Sequence, residues 1–307
     1  MADVDTFVTT LYVAADDFCK FRPMPVRPGP PASIARSEIV TLAIFGQWEF
    51  LGSERGFYRY ATRNLRGMFP NLPNRSQYNR LVRHHWETIA AFCVYLAEIL
   101  GGTQSPYEVL DTYGAVTRNA KRRGEGWLVG IADIGWSTRV GWYEGLRIMT
   151  SVNPVGVITG FGVAPGSAKE QPMAETFLNL RSQAEPQVVS VGRSASGYYL
   201  ADKGFEGEEL HIEWGERYEA YVVTAPRRDS KNPWPKELRR RLASLRQIVE
   251  TVHDKLHNMF GLSGERPHDL LGFQARLSAK MALHNFSILM NRLLGRRNLQ
   301  FADLIDW

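Results

Sequence analysis

Apolar residues recur at helical spacing near the start of the chain. Phe7, Leu11, Ala14, Ala15 and Phe18 share one face, and Ile39, Leu42, Ala43 and Gly46 repeat the pattern after Ser37, so two helices are expected. Between them, Arg22 to Pro31 carries five prolines. Such a segment predicts a linker or a rigid extended strap. A second break is expected at Pro70-Asn71-Leu72-Pro73-Asn74. Ser76 is then placed to cap one long helix carrying Tyr78, Leu81, Val82, Trp86, Ile89, Phe92, Val94 and Leu96 up to Leu100. Gly101-Gly102 ends it. Residues 1–102 therefore predict a compact helical domain with arginines on its exposed turns. The pattern accommodates a helix-turn-helix without requiring one.

After Gly102 the texture changes. Tyr107 to Val116 reads as a strand, followed by strands over Trp142 to Val152 and Gly156 to Val163, with Pro154-Val155-Gly156 as the turn between them. Lys169 to Arg181 is amphipathic helix. Tyr198 to Asp202 is a short apolar strand ending in an acid, Glu206 to Arg217 is helix, and Ala220 to Thr224 is another strand. Long helices are expected over Lys236 to Phe260 and Leu270 to Leu294. This order predicts an α/β unit over residues 103–307, a mixed sheet covered on both faces by helices.

Composition changes the picture in three ways. The 307 residues are 44% hydrophobic, enough for a real core, and no apolar run reaches the length of a membrane span. The N-terminus lacks a basic region followed by an apolar one, and Cys19 and Cys93 stand too far apart for a disulfide framework or a cysteine metal site. A soluble, intracellular protein is the expectation. The net charge of +5 is unevenly placed. Arg55, Arg59, Arg63, Arg66, Arg75, Arg80 and Arg83 occur without an acid between them. The span Arg227 to Arg246 holds eight basic residues against Asp229 and Glu237. Such segments suit a polyanion such as DNA, and two solvated helix faces are the alternative.

Three acids stand where apolar segments expose them. Asp111 follows Val109-Leu110, Asp202 closes Tyr199-Leu200-Ala201, and Glu250 sits among Leu245, Ile248, Val249 and Val252. A carboxylate in an apolar strand is costly to desolvate unless a positive charge neutralises it. A pair of hard divalent cations does so, and two or three carboxylates suffice to hold them. On spacing alone the bland reading, capped strand ends and a surface helix acid, stays open.

The local motifs add to this. Val109-Leu110-Asp111-Thr112 resembles the first-strand aspartate motif of DDE insertion-sequence transposases, and Leu200-Ala201-Asp202-Lys203-Gly204-Phe205 resembles their second, the D-K/R-G-Y segment. Arg246-Gln247-Ile248-Val249-Glu250 is similar to their third, with an arginine one turn before the glutamate. Gly141 to Arg147 looks like the family's G-Y-K strand, and Gly272 to Arg276 and Asn291 to Leu294 resemble its C-terminal helix. Three ordered motifs are far more specific than one. The chain departs from the pattern at Ala243, where many relatives carry tyrosine, at His257, where lysine is usual, and at Arg147 and Met149.

The resemblance implies an RNase H-like catalytic fold in which Asp111 and Asp202 lie on adjacent central strands and Glu250 on the covering helix. It implies two Mg²⁺ ions (Mn²⁺ substituting) held by Asp111, Asp202 and Glu250, strand cleavage at element ends, and transfer of the released 3′-OH into target DNA. Arg246 would hold a phosphate, supported by Lys255, Lys203 and Arg147. Arg75, Arg80 and Arg83 are the expected DNA contacts of the helical part. A bacterial, nucleoid-associated enzyme acting as a homodimer on terminal inverted repeats is what the family implies. A repurposed transposase that binds DNA without cutting it is the alternative.

Other signals are weaker. His253 and His257 stand at i and i+4, the spacing of a helical zinc pair, but Asp254 replaces the required glutamate and no third ligand is evident. Asp133 and Glu144 are rival metal ligands. Gly160-Phe161-Gly162 lacks the third glycine of a dinucleotide loop. Trp127, Trp136 and Trp142 are expected in the core or in strand pairs rather than as base-stacking platforms.

Overall fold

A computed structural model of the chain describes residues 1–22, 32–48, 51, 53–122, 124–137, 141–183, 188–194, 196–226 and 232–307. The proline-rich strap beyond Arg22, and Arg227, Arg228 and Lys231 of the second basic run, lie outside the described residues. In chain order the elements are β1 (Ala2–Asp3), α1 (Val4–Lys20), α2 (Arg36–Phe45), α3 (Glu54–Asn64), α4 (Arg75–His84) and α5 (Trp86–Ile99). Then come β2 (Glu108–Asn119), β3 (Asp133–Ser137), β4 (Gly141–Val152), β5 (Ile158–Pro165), α6 (Glu170–Ser182) and β6 (Tyr198–Leu200). α7 (Glu208–Tyr218), β7 (Tyr221–Val223), α8 (Lys236–Asn258), α9 (Leu270–Leu293) and β8 (Ile305–Asp306) complete the chain. No helix among the described residues is long and apolar enough to cross a membrane.

Six strands form one mixed sheet in the order β3-β4-β2-β6-β7. β2 and β4 are antiparallel, whereas β2–β6 and β6–β7 are parallel. β5 pairs with β4 beyond the reach of β3, so the two share one edge of β4 end to end. Alternation along the strands splits their side chains between two layers. Val109 and Ile148 enter a core with α5, α8 and α9, while Leu110 and Met149 enter a second core with Phe177 and Leu178 of α6 and Trp214 of α7.

Two expectations need correction. The single helix expected from Ser76 to Leu100 breaks at His85 into α4, capped by Asn74 rather than Ser76, and α5. The two halves have different surroundings: α4 buries Tyr78 alone, whereas α5 buries Ile89, Phe92, Leu96 and four further residues. One straight helix cannot turn its apolar stripe far enough to satisfy both. The strand β3 went unread because five residues containing Asp133 and Gly135 carry little strand preference. Its pairing with β4 makes it a strand.

The helices before residue 102 do not close a core of their own. Phe7 of α1 packs edge-on against Phe286 of α9 with ring centroids 5.1 Å apart, and β1 pairs with β8 at the far end of the chain. Asn285 of α9 joins the layers: its amide donates to the carbonyls of Cys93 (3.1 Å) and Ile158 (2.8 Å), and its oxygen accepts from the Ile158 N–H (2.9 Å). One continuous core thus runs across the expected domain boundary.

A buried ion pair holds β2 in place. Glu108 and Arg181 have side chains 1% and 2% exposed and lie 2.6 Å apart. Ser151 and Thr159 also donate to Glu108, and Arg181 donates to Thr159 (2.8 Å) and Tyr199 (3.2 Å). Removing one partner of such a pair strands the other's charge, at a cost of about 3–5 kcal/mol. Glu108→Gln should therefore lower unfolding stability by several kcal/mol in urea titration. Adding Arg181→Met should recover part of the loss, and a double variant as unstable as the sum would contradict the pairing.

Candidate active site

Asp111 lies three residues beyond Glu108 on β2. The parallel register pairs Glu108 with Tyr199 and Val109 with Leu200. Continued by two residues, it brings Asp202 level with Asp111, about 5 Å across neighbouring strands. α8 supplies the other wall. Arg246, Glu250, His253 and His257 recur at steps of four, three and four, one face of a helix, and all four line a cavity of about 630 Å³ together with Asp111 and Asp202. The expected acids are therefore brought to one cavity.

Their electrostatics differ. Burial pushes the Asp111 carboxyl up to about 7; the Arg246 charge and the Thr112 N–H oppose the rise, and the Glu170 and Asp202 charges add to it. The Thr112 amide donates to Asp111 over 2.9 Å. Asp202 is more exposed and takes a hydrogen bond from Arg246 at 3.2 Å. The arginine thus pairs with Asp202, not with Glu250 one turn along its own helix. Its Nε is buried without a partner among the described residues. Glu250 is exposed toward the cavity.

A fourth carboxylate was missed. Glu170, in the first turn of α6, lines the same cavity. It accepts from Thr112 Oγ1 at 2.7 Å and from Arg147 at 3.4 Å, and Arg147 also donates to the Trp136 carbonyl at 3.2 Å. A side chain at position 204 would run into the Glu170 carboxylate, which accounts for glycine in the Asp202-Lys203-Gly204 turn. Only a contact from a distant helix reveals this, so no local pattern signals Glu170.

The remaining candidates divide. Arg147 lines the cavity, whereas Lys203 and Lys255 do not. Lys203 is exposed on the turn after Asp202, and the Lys255 charge is felt instead at buried His284, whose pKa falls to about 4 mainly through burial. Arg75 and Arg80 are exposed on α4, and Arg83 pairs with Asp269 at 3.5 Å. Of the rival ligands, Asp133 accepts from Ser167 (2.6 Å) outside the cavity, and Glu144 pairs with Arg118 (2.6 Å). His253 meets Thr150 at 2.8 Å with its ring 4.1 Å from that of Tyr113, and His257 bonds Ser263 at 2.7 Å. These contacts anchor α8 to the sheet and to the turn after it. Trp136 and Trp142 form the expected strand pair across β3 and β4, on the surface rather than in the core, at 49% and 66% exposed.

Among the described residues, no three histidine, cysteine or acid side chains are grouped closely enough to hold a metal ion as they stand. The donor chemistry nevertheless fits a hard cation. Oxygen ligands line the cavity, and the buried one is destabilised by its neighbours' like charge.

The family model of the transposase DDE domain matches residues 108–269, just over half of the chain, a span that contains Asp111, Asp202 and Glu250. The chain belongs to that family, whose members generally use divalent metal ions. No curated protein matches the chain.

The Asp111 shift has a consequence for stability. The folded state holds this proton more tightly than the unfolded chain, so its contribution is full below pH about 4 and is lost as pH rises through about 7. Metal-free Asp111→Asn should therefore be more stable than the parent at pH 8 by a few kcal/mol and nearly equal to it at pH 4. Urea titrations at both values check this, and equal stability at pH 8 would mean that Asp111 carries no such strain.

Proposed function

We propose that the protein is a DNA transposase whose RNase H-like sheet and α8 hold a DDE triad of Asp111, Asp202 and Glu250. The observation that carries this reading is the convergence of the three acids on one cavity, at levels fixed by the β2–β6 register and one face of α8. The antiparallel β2–β4 and β4–β5 pairs beside parallel β6 and β7 support the RNase H-like assignment.

In this reading Asp111, Asp202 and Glu250 would hold Mg²⁺ ions, two per site. Bound there, such ions supply neutralisation of the attacked phosphate and activation of the attacking oxygen. The protein does the rest. Arg246 projects into the cavity, and its planar guanidinium can grip a phosphate bidentately once released from Asp202. Arg147, held by Glu170 and the Trp136 carbonyl, supplies a second fixed cation. Lys203 at the rim, with Arg75, Arg80 and Arg83 on α4, would position duplex DNA. Water serves first as nucleophile and the freed 3′-OH second, so no protein nucleophile is needed. Action as a homodimer on paired ends belongs to the same proposal.

The test is cleavage of a supercoiled plasmid carrying the DNA that flanks the gene, with Mg²⁺ or Mn²⁺. Asp111→Asn, Asp202→Asn and Glu250→Gln should each lower cleavage by at least ~10³-fold while DNA binding stays within about twofold, since each removes a charge and keeps the shape. Retained cleavage in any one variant removes that residue from the triad. Binding by the parent without any cleavage would favour the repurposed DNA-binding protein.

Arg246→Ala should keep divalent-ion binding, read by the thermal shift on adding Mg²⁺, yet lose most strand transfer. Arg246→Lys should restore it only in part, since lysine is a point charge. A variant with normal transfer would rule out the phosphate-holding role.

A further inference from the structure

A second cavity, of about 690 Å³, opens between α3, α4 and the connection from α8 to α9. It shares a wall with the candidate active site, because His257 and Ser263 line both. Five cations line it, Arg55, Arg83, Arg266, Arg276 and Lys280, against the three acids Glu54, Glu265 and Asp269. The acids are already matched. Arg276 lies 2.6 Å from both Glu54 and Glu265, Lys280 lies 3.1 Å from Glu265, and Arg83 lies 3.5 Å from Asp269.

Arg55 and Arg266 are left over. Both are exposed, and neither makes an ion pair among the described residues. The indole N–H of Trp48, which also lines the cavity, is buried without a hydrogen-bond partner. From Arg55 the positive charge continues outward. Arg59 and Arg63 follow at four-residue steps along the exposed face of α3, so the three guanidinium positions span about 12 Å, the length of three or four backbone charges of one DNA strand. At the inner end, His257 is bonded to Ser263.

We propose that this cavity is a second phosphate-binding site, in which Arg55 and Arg266 hold the backbone of a DNA strand leaving the active site and pass it to the arginine stripe of α3. The proposal rests on the DNA-cleaving reading above. The ion pairs of Glu54, Glu265, Arg276 and Lys280 keep the cavity's walls fixed.

The experiment is an arginine footprint. The full chain is treated with phenylglyoxal, with and without a duplex of the sequence flanking the gene, and modified arginines are identified by mass spectrometry. DNA should protect Arg55, Arg59, Arg63 and Arg266 severalfold while leaving Arg297, exposed at the opposite end of α9, unchanged. In a salt titration on the same duplex, Arg55→Gln with Arg266→Gln should lower the slope of log affinity against log salt by about two and weaken binding at least roughly tenfold. Arg297→Gln should change neither. Arg55 and Arg266 modified equally with and without DNA, in a protein that still binds and cleaves it, would overturn this site and leave the proposed function standing. Failure of the parent to bind DNA would overturn both.

Discussion

Two carboxylates on one strand, three residues apart, are treated in opposite ways, and the rest of the structure follows from the difference. Glu108 is sealed in the sheet and answered by Arg181, two hydroxyls and a fixed set of hydrogen bonds. Asp111 receives one backbone N–H, the His253 ring nitrogen lies 3.9 Å away, the Arg246 charge offsets part of its burial, and the nearby carboxylates oppose its ionisation. Leaving an acid only partly compensated in a buried strand costs stability. A missing positive charge resolves this, supplied in our reading by divalent ions during DNA cleavage.

The fold brings the other groups to the same place by periodicity alone. A parallel neighbour in fixed register puts Asp202 level with Asp111. A helix crossing above the sheet presents four residues of one face, two of them histidines that grip Thr150 and Ser263 and so fix where Arg246 and Glu250 point. Arg246 serves as counter-charge to Asp202. In our reading its release from that pair, as metal and phosphate arrive, couples assembly of the site to substrate binding.

Much of this was legible in the sequence. The strand carrying Asp111 and the one leading to Asp202 announce themselves through short β-branched and aromatic runs, and α8 through its length and apolar period. The boundaries of α8 and α9 fall within two residues of those read from the pattern. What escaped depends on contacts between distant segments. Glu170 enters the cavity because α6 starts beside the Asp202 turn, and β3 exists because β4 pairs with it. Trp136 and Trp142 pair across the β3–β4 hairpin, yet among the described residues they are largely exposed. The helical segment reads as a separate domain because a composition shift follows it. Phe7 of that segment packs against α9 within a core the two parts share.

The central claim is that Asp111, Asp202 and Glu250 together hold a divalent ion, and iron-directed cleavage of the chain itself tests it most directly. Ferrous ion replaces Mg²⁺, ascorbate and peroxide generate hydroxyl radicals at the bound metal, and mass spectrometry locates the breaks. The account predicts breaks in β2 around Asp111, in the turn around Asp202 and in α8 around Glu250, all suppressed by excess Mg²⁺. Breaks confined to other segments, or breaks at these three that Mg²⁺ does not suppress, would contradict it.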